Sequence, residues 1–208
     1  MFGTQHYSLF LLSAIVLNIT PGQDTFYIVG RSIAQGRTAG LLSVLGISSG
    51  AVIHTCAAAL GLSAILATSA SAFTVVRFAG AAYLVYLGVR MWLDRGASSQ
   101  DAGEFTRTSP WGIYRAGLLT NLLNPKVALF YLAFLPQFVA PSVQSKLIAF
   151  LFLGASFLTT GTIWCMLLAL LASKIASRLR RSASASAILR RATGTLFVGL
   201  GVRLAVTK

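Results

Sequence analysis

Three ionisable side chains lie well inside long apolar stretches of this sequence: Asp24, His54 and Lys126. A charge there costs at least about 2.5–3.5 kcal/mol to place in a bilayer, so it needs a partner or a task. Asp24 and Lys126 each follow a helix breaker. Asp24 closes the stretch Asn18-Ile19-Thr20-Pro21-Gly22-Gln23-Asp24, and Lys126 closes Asn121-Leu122-Leu123-Asn124-Pro125-Lys126. Proline removes a backbone donor and clashes with the preceding turn, and Gly22 weakens the helix further. An acid and an amine beside freed backbone N–H groups suit a zwitterion: the acid faces its ammonium group and the lysine its carboxylate. The other reading of the pair is an internal salt bridge holding the helices together.

The neighbours are polar. Asn18, Thr20, Gln23, Asn121 and Asn124 can hydrogen-bond a substrate or satisfy the broken backbone, and the sequence leaves both roles open. With Pro21, Gly22, Asp24, Pro125 and Lys126 they form the candidate substrate site. The spacing Gly46-x-x-x-Gly50-x-x-x-His54 puts three residues on one helix face. The glycines allow close helix approach. Histidine titrates near neutral pH, so His54 is a candidate proton carrier beside Asp24, with a structural histidine bonded to a backbone carbonyl as the alternative. No nucleophile, base and orienting acid can be placed together, so no catalytic site is expected.

These residues need apolar elements to hold them. The chain has 208 residues, 56% hydrophobic and 10% charged, with mean hydropathy +0.77. A soluble domain of this length needs far more charge to cover its surface, which points to a polytopic membrane protein. Six runs are long enough to cross a bilayer, at residues 7–29, 40–66, 73–93, 113–139, 146–172 and 188–206. A short basic connection, 30–37, joins the first two, and a hydrophilic linker holding Asp94, Asp101 and Glu104 joins the third and fourth. The expected fold is all-α, a single membrane transport domain over 1–208. It divides into a first three-helix repeat (1–93), a linker (94–112) and a second three-helix repeat (113–208). The N-terminus lacks a basic n-region and a clear cleavage site, so its first run is expected to be retained.

The two halves echo one another. Thr20-Pro21 corresponds to Asn124-Pro125, and Arg77-Phe78-Ala79-Gly80 with Leu87-Gly88-Val89-Arg90 recurs as Arg191-Ala192-Thr193-Gly194 with Leu200-Gly201-Val202-Arg203. Gly80, Gly88, Gly194 and Gly201 join Gly46 and Gly50 as expected packing positions. Three spans per half is odd, so the halves enter the membrane with opposite orientation, a 3+3 inverted repeat of the secondary-transporter kind. Placing both termini outside puts twelve cations on or beside the inner loops, against five elsewhere, as the positive-inside rule prefers. Six of the twelve lie in the Ser/Ala-rich segment 173–191, which can also meet anionic lipid headgroups. The net charge of +13 is therefore read as a topology signal, with no nucleic-acid module present. Cys56 and Cys165 read as small buried hydrophobes, distant from both prolines and without metal-ligand spacing. Neither a metal nor a cofactor is expected.

Taken together, these stretches resemble the lysine exporter family of bacterial inner-membrane translocators, especially its homoserine/threonine-resistance branch. The matching elements are Thr20-Pro21-Gly22, Gly46/Gly50/His54, Ala79-Gly80-Ala81-Ala82-Tyr83-Leu84-x-Tyr86-Leu87-Gly88, and Gly117-Leu118-Leu119-Thr120-Asn121-Leu122-Leu123-Asn124-Pro125-Lys126 continuing to Phe134-Leu135-Pro136-Gln137-Phe138. The resemblance covers nearly the whole chain. It implies six helices and proton-driven export of amino acids or close derivatives. The family often has a second proline after Pro-Gly, where this chain has Gln23, so substrate choice can differ. Two other readings are an exporter of a cation or other small solute on a related fold, and a membrane thiol–disulfide relay through Cys56 and Cys165. Small-residue faces fit contacts within one chain or between chains, which leaves a homo-oligomer open.

Overall fold

The computed structural model describes residues 2–62, 107–140, 143 and 145–181, with single positions at 71, 74, 75, 78, 81, 82, 85, 86, 89, 92, 93, 191, 195, 198, 199, 202 and 206. Among the described residues the architecture is helical, apart from turns and one isolated bridge between Thr4 and Val139. Helix α1 spans Tyr7–Ile19 and α2 spans Gln23–Gln35. Helix α3 spans Arg37–Ala57 and continues as a π-helical turn, Ala58–Leu62. Helix α4 is Pro110–Leu122 and α5 is Pro125–Leu129, which runs on through a π-helical turn (Phe130–Phe134) and a 3-10 turn (Leu135–Phe138). Helix α6, Lys146–Arg181, is the longest among the described residues.

The apolar run 7–29 is not one continuous helix. At about 1.5 Å per residue, the 13 residues of α1 fall short of a ~30 Å hydrocarbon core. The chain breaks at Thr20-Pro21-Gly22 and restarts as α2. The basic connection expected at 30–37 is also mostly helix. Arg31 and Gln35, one turn apart on α2, bond each other at 2.8 Å, and both reach Thr108 just before α4. These contacts hold the last turns of α2 in helical form. The chain turns only at Gly36, whose φ of +86° strongly favours glycine.

Among the described residues two helical stretches, Arg37–Leu62 and Lys146–Ala172, are long and apolar enough to cross a membrane; Pro110–Leu122 with Pro125–Phe138 makes a third if the pair, bent by 46°, counts as one span. The bend is a helix restart. Asn124 caps α5 with its Oδ1 accepting from the Lys126 N–H at 3.0 Å, and Pro125 takes the first helical position, where a missing donor costs little. The runs at 73–93 and 188–206 lie largely outside the described residues, as do Gly80, Gly88, Gly194 and Gly201. Trp92 links them: its Nε1 donates to the Arg191 carbonyl at 3.1 Å and to Thr195 Oγ1 at 3.3 Å.

Large apolar side chains face outward along α3 (Leu45, Val52, Ile53) and α6 (Ile163, Leu167, Leu170). Stripes of this kind are unsuited to water and suited to lipid. Cys56 lies on such an exposed face, and Cys165 is half-buried, so neither is the buried hydrophobe the sequence suggested. Two apolar clusters form the interior. The first stacks Phe10 of α1 on Phe130, Phe134 and Phe138, with Phe157 of α6 lying 4.1 Å from Phe130. The second joins Ile28, Val29, Val44, Ile47 and Leu168 from α2, α3 and α6.

Helices α3 and α4 cross closely because α3 carries glycine at the crossing. A Cβ at Gly46 would collide with the Tyr114 carbonyl of α4, and one at Gly50 would sit 2.7 Å from Asn121 Oδ1. Gly46→Ala is therefore expected to lower stability by about 1–3 kcal/mol, since the obstructing atom is backbone. Gly61→Ala, where nothing lies within 4 Å, should be near neutral. Unfolding midpoints of the purified proteins in detergent provide the comparison.

Candidate functional site

The two breaks meet. The break after α1 releases the Thr20 carbonyl, which an unbroken helix would have bonded to an N–H one turn on. Lys126, in the first turn of α5, reaches across and donates to that carbonyl at 2.8 Å. The geometry follows the helix dipoles. A cation at the N-terminal turn of α5 is poorly placed, but at the C-terminal end of α1 it is favourable. Asp24 in the first turn of α2 is well placed by the same rule.

Asp24 is held from α4. Asn121 donates its amide Nδ2 to Asp24 Oδ2 at 2.8 Å, and Asn121 is only 3% exposed. Among the described residues no ion pair joins Asp24 to Lys126: the acid bonds Asn121 and the amine bonds Thr20. Asp24 Oδ1, Asn121 Oδ1 and Trp164 Nε1 are buried without a hydrogen-bond partner. Each such atom costs about 1–3 kcal/mol if left that way, and all three residues line the same cavity.

The cavity lies between the two apolar clusters, with walls from α1, α2, α3, α4, α5 and α6. Its polar lining comprises Asn18, Asp24, Thr25, Ser48, Asn121, Asn124, Lys126 and Thr162; its apolar lining includes Leu17, Ile47, Val127, Phe157 and Leu158. Two hydroxyl contacts pin the walls: Asn18 Nδ2 donates to Thr160 Oγ1 at 3.1 Å, and Ser48 Oγ lies 3.0 Å from Thr162 Oγ1. The volume is about 50 Å³, room for a few waters at roughly 10–15 Å³ each. An amino acid would need the walls to move apart.

Of the residues singled out in the sequence, Asn18, Gly22, Asp24, Asn121, Asn124 and Lys126 line this cavity. Thr20 contributes its carbonyl from outside the lining, its own hydroxyl donating back to Val16 O. Pro21, Gln23 and Pro125 do not line it, and Gln23 and Pro125 are exposed. His54 stands one residue removed. A carbonyl only accepts, so His54 Nε2 donates to the Asn121 carbonyl, 3.3 Å away, and the ring stacks on Tyr131. It therefore touches Asn121, whose side chain in turn holds Asp24, and it is not among the residues that line the cavity.

The sequence placed the α6 span but not its share of the cavity. Gly161, Thr162, Trp164 and Cys165 line the cavity, so Cys165 belongs beside Lys126 and is not distant from both breaks. The run Thr159-Thr160-Gly161-Thr162 inside an apolar helix was the available signal.

This arrangement defines a helical membrane protein in which two interrupted stretches face one polar cavity. The chain belongs to the LysE type translocator family, whose model matches residues 15–208. It is 32% identical over 197 residues to a homoserine/homoserine lactone efflux protein of Salmonella typhimurium, covering 94% of each chain. It is 31% identical over 201 residues to an uncharacterized membrane protein of Vibrio cholerae, covering 96% of each. A leucine efflux protein of Salmonella choleraesuis is 27% identical over 204 residues, with 98% of this chain and 96% of that protein covered. No solved structure matches the chain.

If the Lys126–Thr20 bond keeps the cavity contracted, Lys126→Ala should open it. With Cys56 replaced by serine, labelling of Cys165 by a water-soluble maleimide is expected to speed up by about tenfold or more, the equivalent of one lost charge-assisted hydrogen bond. An unchanged labelling rate would mean that other contacts set the cavity width.

Proposed function

We propose that this protein exports amino acids or close derivatives across the bacterial inner membrane by proton antiport. The observation that carries the reading is the convergence of Asp24 and Lys126, one from each helix break, on a single cavity. Efflux is in the names of two relatives that match along nearly their whole length. In this reading the substrate ammonium meets Asp24 and its carboxylate meets Lys126, whose amine has two further donors besides the one given to Thr20. Asn18, Asn121 and Asn124 complete the polar wall. Asn124 is already committed in part, since its Oδ1 caps α5.

The chain is read as one transport domain of six spans in two inverted halves, with both termini outside. The cation distribution of the loops supports that orientation. Alternating access then requires the contracted cavity to widen and open to each side in turn. Asp24 is the residue best placed to exchange a proton against substrate. His54 would act through Asn121, the residue both of them touch.

The decisive assay loads cells with a panel of amino acids and follows release with and without an uncoupler. Export of one or more members, lost with the uncoupler, is the expected result; release identical to that of cells lacking the protein would turn the reading toward another solute. Asp24→Asn should cut export by more than about tenfold, because the substrate ammonium loses its charged partner. The amount of protein in the membrane fraction should stay the same.

A further inference from the structure

We infer that Trp164 is a substrate-recognition residue, its indole N–H donating to the carboxylate of the amino acid whose ammonium sits between Asp24 and Asn121. This rests on the amino-acid export reading and adds to it a specificity-determining group on α6.

The unpaired polar atoms around the cavity carry the argument. Two are oxygens, Asp24 Oδ1 and Asn121 Oδ1, which on these side chains can only accept; one is a nitrogen, Trp164 Nε1, which can only donate. The three residues come from α2, α4 and α6 and line one cavity. The complementary ligand has at least two donors at one end and an acceptor at the other. An α-amino acid head group has that pattern. The ammonium offers three donors to the two oxygens, and the carboxylate offers lone pairs to Trp164 and to the remaining donors of Lys126.

The ring is held for this task. Trp164 packs against the Ile28, Val44, Ile47 and Leu168 cluster, which fixes an indole whose only polar atom is Nε1. A tryptophan wholly committed to packing would leave that N–H toward lipid or satisfied by a neighbouring carbonyl. Here it is buried and unsatisfied in a residue that lines the cavity. Beyond Asp24 and Lys126 the lining is neutral among the described residues, with Leu17, Ile47, Val127, Phe157 and Leu158 as its apolar part. The side chain it accommodates is therefore uncharged.

The test uses the full chain in proteoliposomes with leucine as the transported probe and 3-methylbutylamine, the same skeleton without the carboxylate, as competitor. For Trp164→Phe, the KM for leucine is expected to rise about tenfold, the equivalent of one hydrogen bond. The kcat and the inhibition constant of the amine should be nearly unchanged. A purely structural role would weaken leucine and amine alike, and that result, or an unchanged KM, would overturn the assignment. Absence of leucine or any other amino-acid transport by the unaltered protein would overturn the export reading and this one with it. A second measurement leaves Trp164 itself in place. With Trp92→Phe and Trp111→Phe, the remaining Trp164 fluorescence should shift on adding leucine with the half-saturation of transport, and no shift at saturating leucine would refute the contact.

Discussion

A peptide carbonyl released inside an apolar bundle has no water to turn to, and leaving it unsatisfied costs as much as a lost hydrogen bond. Pro21 creates that situation at Thr20. The answer comes from the other half of the chain: Lys126 extends across the bundle and donates to the Thr20 oxygen at 2.8 Å. One contact thereby meets three demands. It satisfies the end of α1, places a cation at the negative pole of that helix, and ties the first interruption to the second. The cavity exists where it does because these two breaks are held face to face.

Helix α2 connects that contact to the rest of the molecule. Its first turn carries Asp24, fixed by Asn121 of α4. Its last turns carry Arg31 and Gln35, both bonded to Thr108 at the entry to α4. Arg31 also lies over the Tyr27 ring, whose hydroxyl donates to the Ile113 carbonyl at 2.7 Å. The helix is thus fastened to α4 at both ends by polar contacts. The middle packs through Ile28 and Val29 against the apolar cluster. A displacement of α2 relative to α4 would disturb the acid and the Thr108 contacts together. Coupling between the cavity and the hydrophilic linker therefore has a direct mechanical route.

The cavity is narrow, and three unpaired polar atoms belong to residues that line it. The hydroxyl pair Ser48–Thr162 and the Asn18 amide bonded to the Thr160 hydroxyl draw α6 against α3 and α1. They leave about 50 Å³ rimmed by acceptors from α2 and α4 and a donor from α6. Hydrogen bonds between neutral side chains each contribute about 1 kcal/mol net, weak enough for a bound ligand to replace. Helix α6 carries the donor, and its outer side is an exposed apolar stripe of Ile163, Leu167 and Leu170. Sliding within lipid carries little penalty for that surface, since lipid covers it before and after.

Composition alone determined that this chain belongs in a membrane, because 10% charge cannot clothe a soluble surface. Proline placement determined where the helices stop, since Pro21 and Pro125 act on their own backbone whatever surrounds them. The spacing of Gly46 and Gly50 announced the α3–α4 crossing for a similar reason: a missing side chain shows in the sequence. The partners were not legible. The sequence left Asp24 and Lys126 open as a zwitterion site or as a salt bridge, and in the structure each bonds a different group. The choice depends on distances between helices that no local pattern encodes. The same holds for α6. Trp164 and Cys165 sit in an apolar run with no breaker beside them, and only the tertiary arrangement turns that face toward the cavity. What a residue does to its own backbone is written locally, whereas which distant atom it meets is decided by how the helices pack.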